Sequence, residues 1–413
     1  MMNSIHSLSR SFLKETPLDF KRYFFKSFRE TPRMFFLIGP RGVGKTTSIL
    51  QYLIDYADND ITSTKILYVP ADHILLENIS LFEVARNFEM EGGKVLCIDE
   101  IHKYGNWAKE LKSIVDTYKG LRLIVSGSSS LEISKGSTDL SRRALVFNMR
   151  HMSFREFLEF EHKLELPHFS LHEILEKHAT IATDLVKKIE HAHHKVIPLF
   201  RKYLARGLFP FYREYKTTES YYLALNQMIN SSIENDILST HPQLTGVTVK
   251  KMKALLGHLS TSCPFTPDLK KIKTALSITD ERTLKQYLYY LDKLQIIINV
   301  EKASGKLKSM QKPEKIYIDN PNFMYALASG PHEDPDKGSL RETFVANILK
   351  GLHSLQIPDH GDFLVDRKYI FEVGGKSKGD RQIQDIKNAF VLSDDIETGV
   401  KNRIPLWLLG FLY

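Results

Sequence analysis

Residues 35–46 read Phe35-Phe36-Leu37-Ile38-Gly39-Pro40-Arg41-Gly42-Val43-Gly44-Lys45-Thr46. The apolar residues at the front predict a short buried strand. From Gly39 on, the chain fits G-x-x-x-x-G-K-T, the phosphate-binding loop pattern, without a mismatch. Gly39, Gly42 and Gly44 allow the tight turn that aims backbone N–H groups at a phosphate. Pro40, Arg41 and Val43 fill the loop between them. Lys45 brings positive charge to the outer phosphates, and Thr46 offers a hydroxyl to Mg²⁺. Thr47 continues into a helix running through Leu53, whose N-terminus faces the anion.

A second stretch carries the same reading further. Lys94-Val95-Leu96-Cys97-Ile98-Asp99-Glu100 is an apolar strand ending in two carboxylates. Asp99 is placed to hold the Mg²⁺ through water, and Glu100 to polarise the water that attacks a γ-phosphate. The adjacent Glu favours hydrolysis over holding a nucleotide. Expected strands are Phe35–Ile38, Ile66–Val69, Val95–Ile98, Leu121–Val125 and Leu145–Met149. Helical segments separate most of them, so residues 33–150 read as a parallel α/β domain.

The chain has 413 residues, of which 42% are hydrophobic, and a formal net charge of +8. That size leaves room for about two to four domains. No apolar run reaches the roughly 18 residues a membrane span needs. The start, Met1-Met2-Asn3-Ser4-Ile5-His6, lacks a signal-peptide core. Cys97 and Cys263 are the only cysteines. A disulfide framework is therefore not expected, which suits the cytoplasm. The basic balance, with pI near 9.1, suits an anionic partner such as nucleic acid.

Residues 1–32 read as one or two amphipathic helices, with Phe20, Tyr23, Phe24, Phe25 and Phe28 at near-helical spacing. Residues 151–245 read as helices: Phe154–Phe160, Leu171–His178, Ile181–Ile189, Leu199–Ala205 and Tyr221–Leu238. His191, His193 and His194 read as solvated helix ends rather than a metal set. No Cys lies near them, and Glu190 is the one nearby carboxylate.

Several motifs then follow in a characteristic order. They are Asp99-Glu100-Ile101-His102-Lys103, Asn106-Trp107, Ser126-Gly127-Ser128-Ser129, Leu140-Ser141-Arg142-Arg143 and Ser153-Phe154-Arg155-Glu156-Phe157-Leu158. This order resembles a family of prokaryotic AAA-type ATPases, P-loop NTPases that join the ATPase to a winged helix and a C-terminal domain related to PD-(D/E)xK nucleases. The resemblance covers most of the chain. It implies an α/β fold, with a parallel AAA-type sheet at 33–150 and a helical lid at 151–245. A winged helix at 246–325 and a restriction-endonuclease-like domain at 326–413 would follow. The fourth strand would then lie between the loop strand and the Asp-Glu strand. A side chain at its end, Ser126 or Ser128, would reach the γ-phosphate or the attacking water. Arg143 matches the family arginine, although Arg142 stands where members carry Gly. It would serve a neighbouring subunit's nucleotide, in a homo-oligomer, or act as a structural ion-pair partner.

Within 246–325, Leu269–Leu276 and Glu281–Leu291 read as the two helices of a helix-turn-helix, capped by Thr279 or Asp280. Ile296–Val300 and Lys315–Ile318 read as wing strands, with Lys302, Lys306, Lys308 and Lys312 lining the loop between them. Second helices of such units enter the DNA major groove, which nominates Arg282, Thr283, Lys285 and Gln286. The alternative is a module that only packs against other domains. In 326–413 the family acids match Glu342, Asp362 and Glu372, and Asp362 with Glu372 would hold a second Mg²⁺. Gly374 stands where the lysine belongs, with Lys376 or Lys378 as substitutes from the next turn. The implied function is Mg-dependent ATP hydrolysis coupled to movement of a DNA- or partner-binding module, with nuclease activity lost. The rivals are an ATP-regulated metal-dependent endonuclease and a nucleotide-gated protein scaffold. Ile404–Phe411 reads as a closing buried strand.

Overall fold

The computed structural model of the protein describes residues 2–127, 140, 142–240, 244–303, 313–328, 334–379 and 382–413. Ser128, Ser141, Lys306, Lys308 and Lys312 lie outside the described residues. The chain divides into two compact units. One comprises Met1–His151 with Phe209–Phe211 and Ser239–Pro242, and the other comprises Met152–Leu208, Tyr212–Leu238 and Gln243–Tyr413. No helix among the described residues is long and apolar enough to cross a membrane.

The first unit is built on a parallel sheet of β1 (Met34–Ile38), β2 (Ile66–Pro70), β3 (Val95–Asp99), β4 (Arg122–Gly127) and β5 (Leu145–Asn148). Their order is β2-β3-β4-β1-β5. The fourth strand does lie between the loop strand and the acid strand: Phe36 of β1 and Ile98 of β3 both register on Val125. The middles of the central strands are apolar because both faces of a parallel sheet are covered, and polar residues stand only at their ends. Helices α2 (Lys45–Tyr56), α3 (Leu81–Met90) and α4 (Trp107–Thr117) make the crossovers.

Helix α1 (Met2–Glu15) packs beside the edge strand β2, where Ser9 Oγ accepts the Tyr68 N–H at 3.0 Å. A free edge donor is thereby satisfied. The second N-terminal segment differs from expectation. Tyr23–Arg29 is a 3₁₀ helix, not an amphipathic α-helix. Its aromatics are buried on more than one side, and such a dense apolar run does not distinguish a 3.6 from a 3.0 period. Phe28 stacks on Tyr52 at 4.8 Å and meets Phe24 edge-on at 5.2 Å.

In the second unit, α5 (Phe154–His162), α6 (Leu171–His191) and α7 (Val196–Arg206) are the first of the helices expected as a lid. Residues 171–178 and 181–189 form one helix rather than two, because Ala179 and Thr180 supply no break. A capping box at Ser170 and Glu173 starts it. These helices share an aromatic core with the C-terminal segment: Phe154 meets Phe411, and Phe200 meets Phe344 at 5.1 Å. Further on, α8 (Thr218–Ser231) runs into a π turn at Ser232–Asp236.

Three helices follow, α9 (Gly246–Ser260), α10 (Leu269–Ala275) and α11 (Glu281–Lys293). They lead into an antiparallel hairpin of β6 (Ile297–Lys302) and β7 (Lys315–Ile318), with Phe265 bridged to Ile316. After α12 (Pro321–Leu327) and α13 (Lys337–Leu349) come β8 (Leu355–Ile357), β9 (Phe363–Val365), β10 (Tyr369–Gly374), β11 (Ala389–Ser393) and β12 (Arg403–Pro405). The hairpin joins them in a seven-stranded sheet, β12-β11-β10-β9-β8-β6-β7. The expected closing strand is strand only through Pro405. Leu406–Phe411 is a buried 3₁₀ helix. A short all-apolar run is buried either way, so its pattern does not choose between the two.

Asp319, just after β7, has a carboxyl pushed up to about 7, chiefly by burial and against the pull of Lys350. Between the ordinary carboxylate range and that value, the folded chain binds a proton that the unfolded chain releases. Stability therefore falls as pH rises through this window. We expect Asp319→Asn to flatten that decline and to stabilise the second unit near pH 8 by about 1–3 kcal/mol. Urea unfolding at pH 5 and pH 8 checks this.

Candidate active site

The loop between β1 and α2 takes its shape from glycines. Gly39 has φ +149°, and a Cβ there would fall 2.3 Å from the Met149 carbonyl oxygen. Gly44 caps α2 at φ 93°, in the left-handed region. Pro40, Arg41, Gly42 and Val43 complete the curl, and Thr47 lies in the first turn of α2. Lys45 is buried, and its Nζ donates to the Gly39 and Pro40 carbonyls at 2.8 Å each. Its charge thus sits within the curl, where an anion would be held. Arg22 braces the loop from the N-terminal segment. Its guanidinium donates to the Val43 carbonyl and, at 2.8 Å, to that of Arg150. The sequence carries no signal for this role, since Arg22 is one basic residue among several in an aromatic stretch.

Strand order then assembles the acid. Asp99, at the end of β3, is 2% exposed. Its Oδ2 accepts from the Thr46 hydroxyl at 2.6 Å and the Tyr68 hydroxyl at 2.7 Å. Its Oδ1 accepts from the Ser126 hydroxyl and from the Glu100 N–H at 3.0 Å. Loop, β2, β3 and β4 therefore meet on one carboxylate. Sequence reasoning missed Tyr68; a hydroxyl-bearing ring in an otherwise apolar strand was the available signal. Burial and the adjacent Asp99 push the Tyr68 phenol far up, so it stays a donor. Hydroxyl plus carboxylate oxygen is a hard donor set, which fits Mg²⁺.

Glu100 adopts a left-handed conformation, φ 52°. Its Oε2 lies 3.5 Å from His102 Nε2 and 3.9 Å from Lys103 Nζ. Arg143 is engaged elsewhere in its own chain. It grips Asp116 of α4 through Nε at 2.8 Å and Nη2 at 3.0 Å. Of the two roles open to it, this contact is the ion pair.

In the second unit, Glu342 on α13 accepts from the Tyr317 hydroxyl at 3.0 Å. Lys315 of β7 lies 3.3 Å from Glu342 and 3.8 Å from Asp362. Burial first, then Asp362, pushes the Glu342 carboxyl up. Glu372 is 1% exposed and takes Lys378 Nζ at 2.6 Å. Gly374 explains the geometry. A Cβ there would lie 2.5 Å from Lys378 Cγ, so the lysine stem runs over the glycine. Lys378, rather than Lys376, therefore brings its ammonium to Glu372. Asp362 Oδ2 accepts the Val373 N–H at 2.8 Å. Among the described residues, no three His, Cys, Asp or Glu side chains are grouped to hold a metal ion. The acids are instead matched by lysines, and Lys315 was not foreseen.

At the start of α11, Asp280 caps the helix. It accepts the Thr283 N–H at 2.8 Å and the Thr283 hydroxyl at 3.0 Å. The hydroxyl nominated for DNA is thus used locally. Gln286 Nε2 donates to the Tyr290 hydroxyl at 2.6 Å. Arg282 and Gln286 are exposed and Lys285 is half-buried, on neighbouring helical positions.

Residues 31–158 match the family model described as an AAA domain, and residues 197–333 match a domain of unknown function, DUF8612. Residues 31–158, which span most of the first unit, thus resemble an AAA domain in sequence. An uncharacterized protein of Methanocaldococcus jannaschii is 27% identical over 371 residues, which cover 84% of this chain and 76% of its own. Among solved structures, a Walker-type ATPase of Pyrococcus abyssi is similar with TM-score 0.45 and 13% identity, over 76% of this chain and 99% of that one. AMPPCP-bound DnaA from Aquifex aeolicus gives TM-score 0.26 and 13% identity, over 65% of this chain and 86% of that one.

Removing the Tyr68 hydroxyl leaves one Asp99 oxygen with Thr46 as its single direct donor. We expect Tyr68→Phe to weaken Mg-ATP binding by about 3- to 10-fold in calorimetry, the effect of one charge-assisted hydrogen bond.

Proposed function

We propose that the chain binds Mg-ATP at residues 39–46, hydrolyses it, and couples the cycle to a module that contacts DNA or a protein partner. One observation carries the ATPase reading: Thr46 and Asp99 meet directly beneath the loop, with Glu100 next in the chain. Backbone N–H groups from Gly42 through Thr46 cradle the phosphates, and the N-terminus of α2 favours their charge. Lys45 leaves its loop carbonyls for the outer phosphates. Magnesium, held by Thr46 and Asp99, would supply charge neutralisation at the phosphate oxygens. Glu100 orients and polarises the attacking water. Ser126 holds Asp99 in place and thereby acts one step back from the phosphate. The ion pair with Asp116 favours a structural role for Arg143.

For the second unit we infer a winged helix, on the succession of α9, α10 and α11 followed by the β6–β7 hairpin. Arg282, Lys285 and Gln286 on α11 are its DNA-facing candidates. The C-terminal sheet supports a nuclease-like fold whose acids are neutralised by Lys315 and Lys378. That pairing favours docking of DNA or a partner over phosphodiester cleavage. Binding of the γ-phosphate orders the segments around it, and hydrolysis releases them. The buried, unpaired Cys97 and Cys263 suit a cytoplasmic setting.

Phosphate release from Mg-ATP tests the enzyme. We expect Lys45→Ala and Glu100→Gln each to lower the rate by at least about 100-fold. Activity that survives both changes would refute the assignment. A gel shift on duplex DNA tests the module. Binding should weaken with salt and again in an Arg282→Ala, Lys285→Ala double variant. No shift at low salt would favour the protein-scaffold reading. Plasmid cleavage in Mg²⁺ or Mn²⁺, lost in Asp362→Ala and Glu372→Ala, would favour the endonuclease.

A further inference from the structure

Glu100 leaves β3 in a left-handed conformation, and its carboxylate is flanked by two bases. His102, whose side chain is 1% exposed, lies beneath it, and Lys103 lies beside it. Lys103 is itself tethered by an ion pair to Asp72. The sheet places that tether. Pro70 of β2 registers on Asp99, and the Ala71 N–H donates to the Asp99 carbonyl at 2.8 Å. The ladder therefore delivers Asp72 beside the turn that carries Glu100. The Lys103 N–H also donates to the Glu100 carbonyl at 3.0 Å, closing that turn. Asp72 and Lys103 line a cleft of about 660 Å³ with His73, Leu76, Ser80 and Tyr104. Their charged ends are 40% and 36% exposed, so the pair adds little to stability.

We propose that Lys103, anchored by Asp72, is a positioning residue that holds the Glu100 carboxylate in its working orientation. The proposal rests on Glu100 acting on the attacking water. Without this cation beside it the Glu100 carboxylate is held less firmly in one orientation, and each misdirected rotamer is an enzyme with bound ATP and no general base in place. The loss therefore falls on turnover, not on nucleotide binding.

The experiment measures ATPase kinetics and calorimetric Mg-ATP affinity of the full chain for Lys103→Met, Lys103→Arg, Asp72→Asn and Glu100→Gln, and for Lys103→Met combined with Glu100→Gln. We expect Lys103→Met to lower kcat by about 10-fold, with KM, Kd and thermal midpoint near the wild-type values. Lys103→Arg should recover most of the rate, and Asp72→Asn should fall between. On the Glu100→Gln background, Lys103→Met should cause no further loss, because its effect passes through that carboxylate. Three outcomes would overturn the proposal. They are an unchanged or raised kcat in Lys103→Met, a fall matched by lost affinity or stability, and an equal fall on the Glu100→Gln background. Failure of the underlying reading looks different: Glu100→Gln would then hydrolyse ATP at the wild-type rate.

Discussion

The first unit depends on a single buried carboxylate. Asp99 is nearly inaccessible, and an ionised side chain in that position is costly unless each lone pair finds a donor. Four groups from separate segments supply them: Thr46 from the start of α2, Tyr68 from β2, Ser126 from β4, and the Glu100 N–H next to it. The requirement works in both directions. It fixes the loop against the sheet, and it keeps an anionic oxygen facing the Thr46 hydroxyl.

A similar accounting governs the C-terminal sheet, with the opposite outcome. Glu342, Asp362 and Glu372 stand on α13 and around β9 and β10, and lysines answer them from β7 and from the loop after β10. Lys378 reaches Glu372 because Gly374 has no side chain to obstruct its stem. The second unit thus compensates its buried and half-buried carboxylates with lysines, whereas Asp99 is met by neutral hydroxyls and a backbone N–H.

Much of this was legible in the residues. The loop motif, the acid strand and all five parallel strands follow from short apolar runs, three of which end at a glycine or a carboxylate, and local pattern suffices for such elements. The capped helices were legible too, since Ser170 with Glu173 and Asp280 with Thr283 are local signals. Patterns of aromatic density were less informative. Phe24 and Phe28 fitted an α-helix, yet they sit in a 3₁₀ turn wedged against Tyr52 and Phe35. Residues 406–411 were rightly read as buried and wrongly as strand, because burial on all sides erases periodicity.

The sequence by itself determined the phosphate loop and the strand that bears Asp99 and Glu100, each of which rests on spacing within a few residues, and the parallel character of the sheet, which follows from the helical segments between its strands. Only the tertiary structure decided which side chains complete those sites. Tyr68, Arg22 and Lys315 reach their partners across 31, 21 and 27 positions of sequence. Such contacts are set by strand order and by the packing of segments distant in the chain, and no local pattern encodes them.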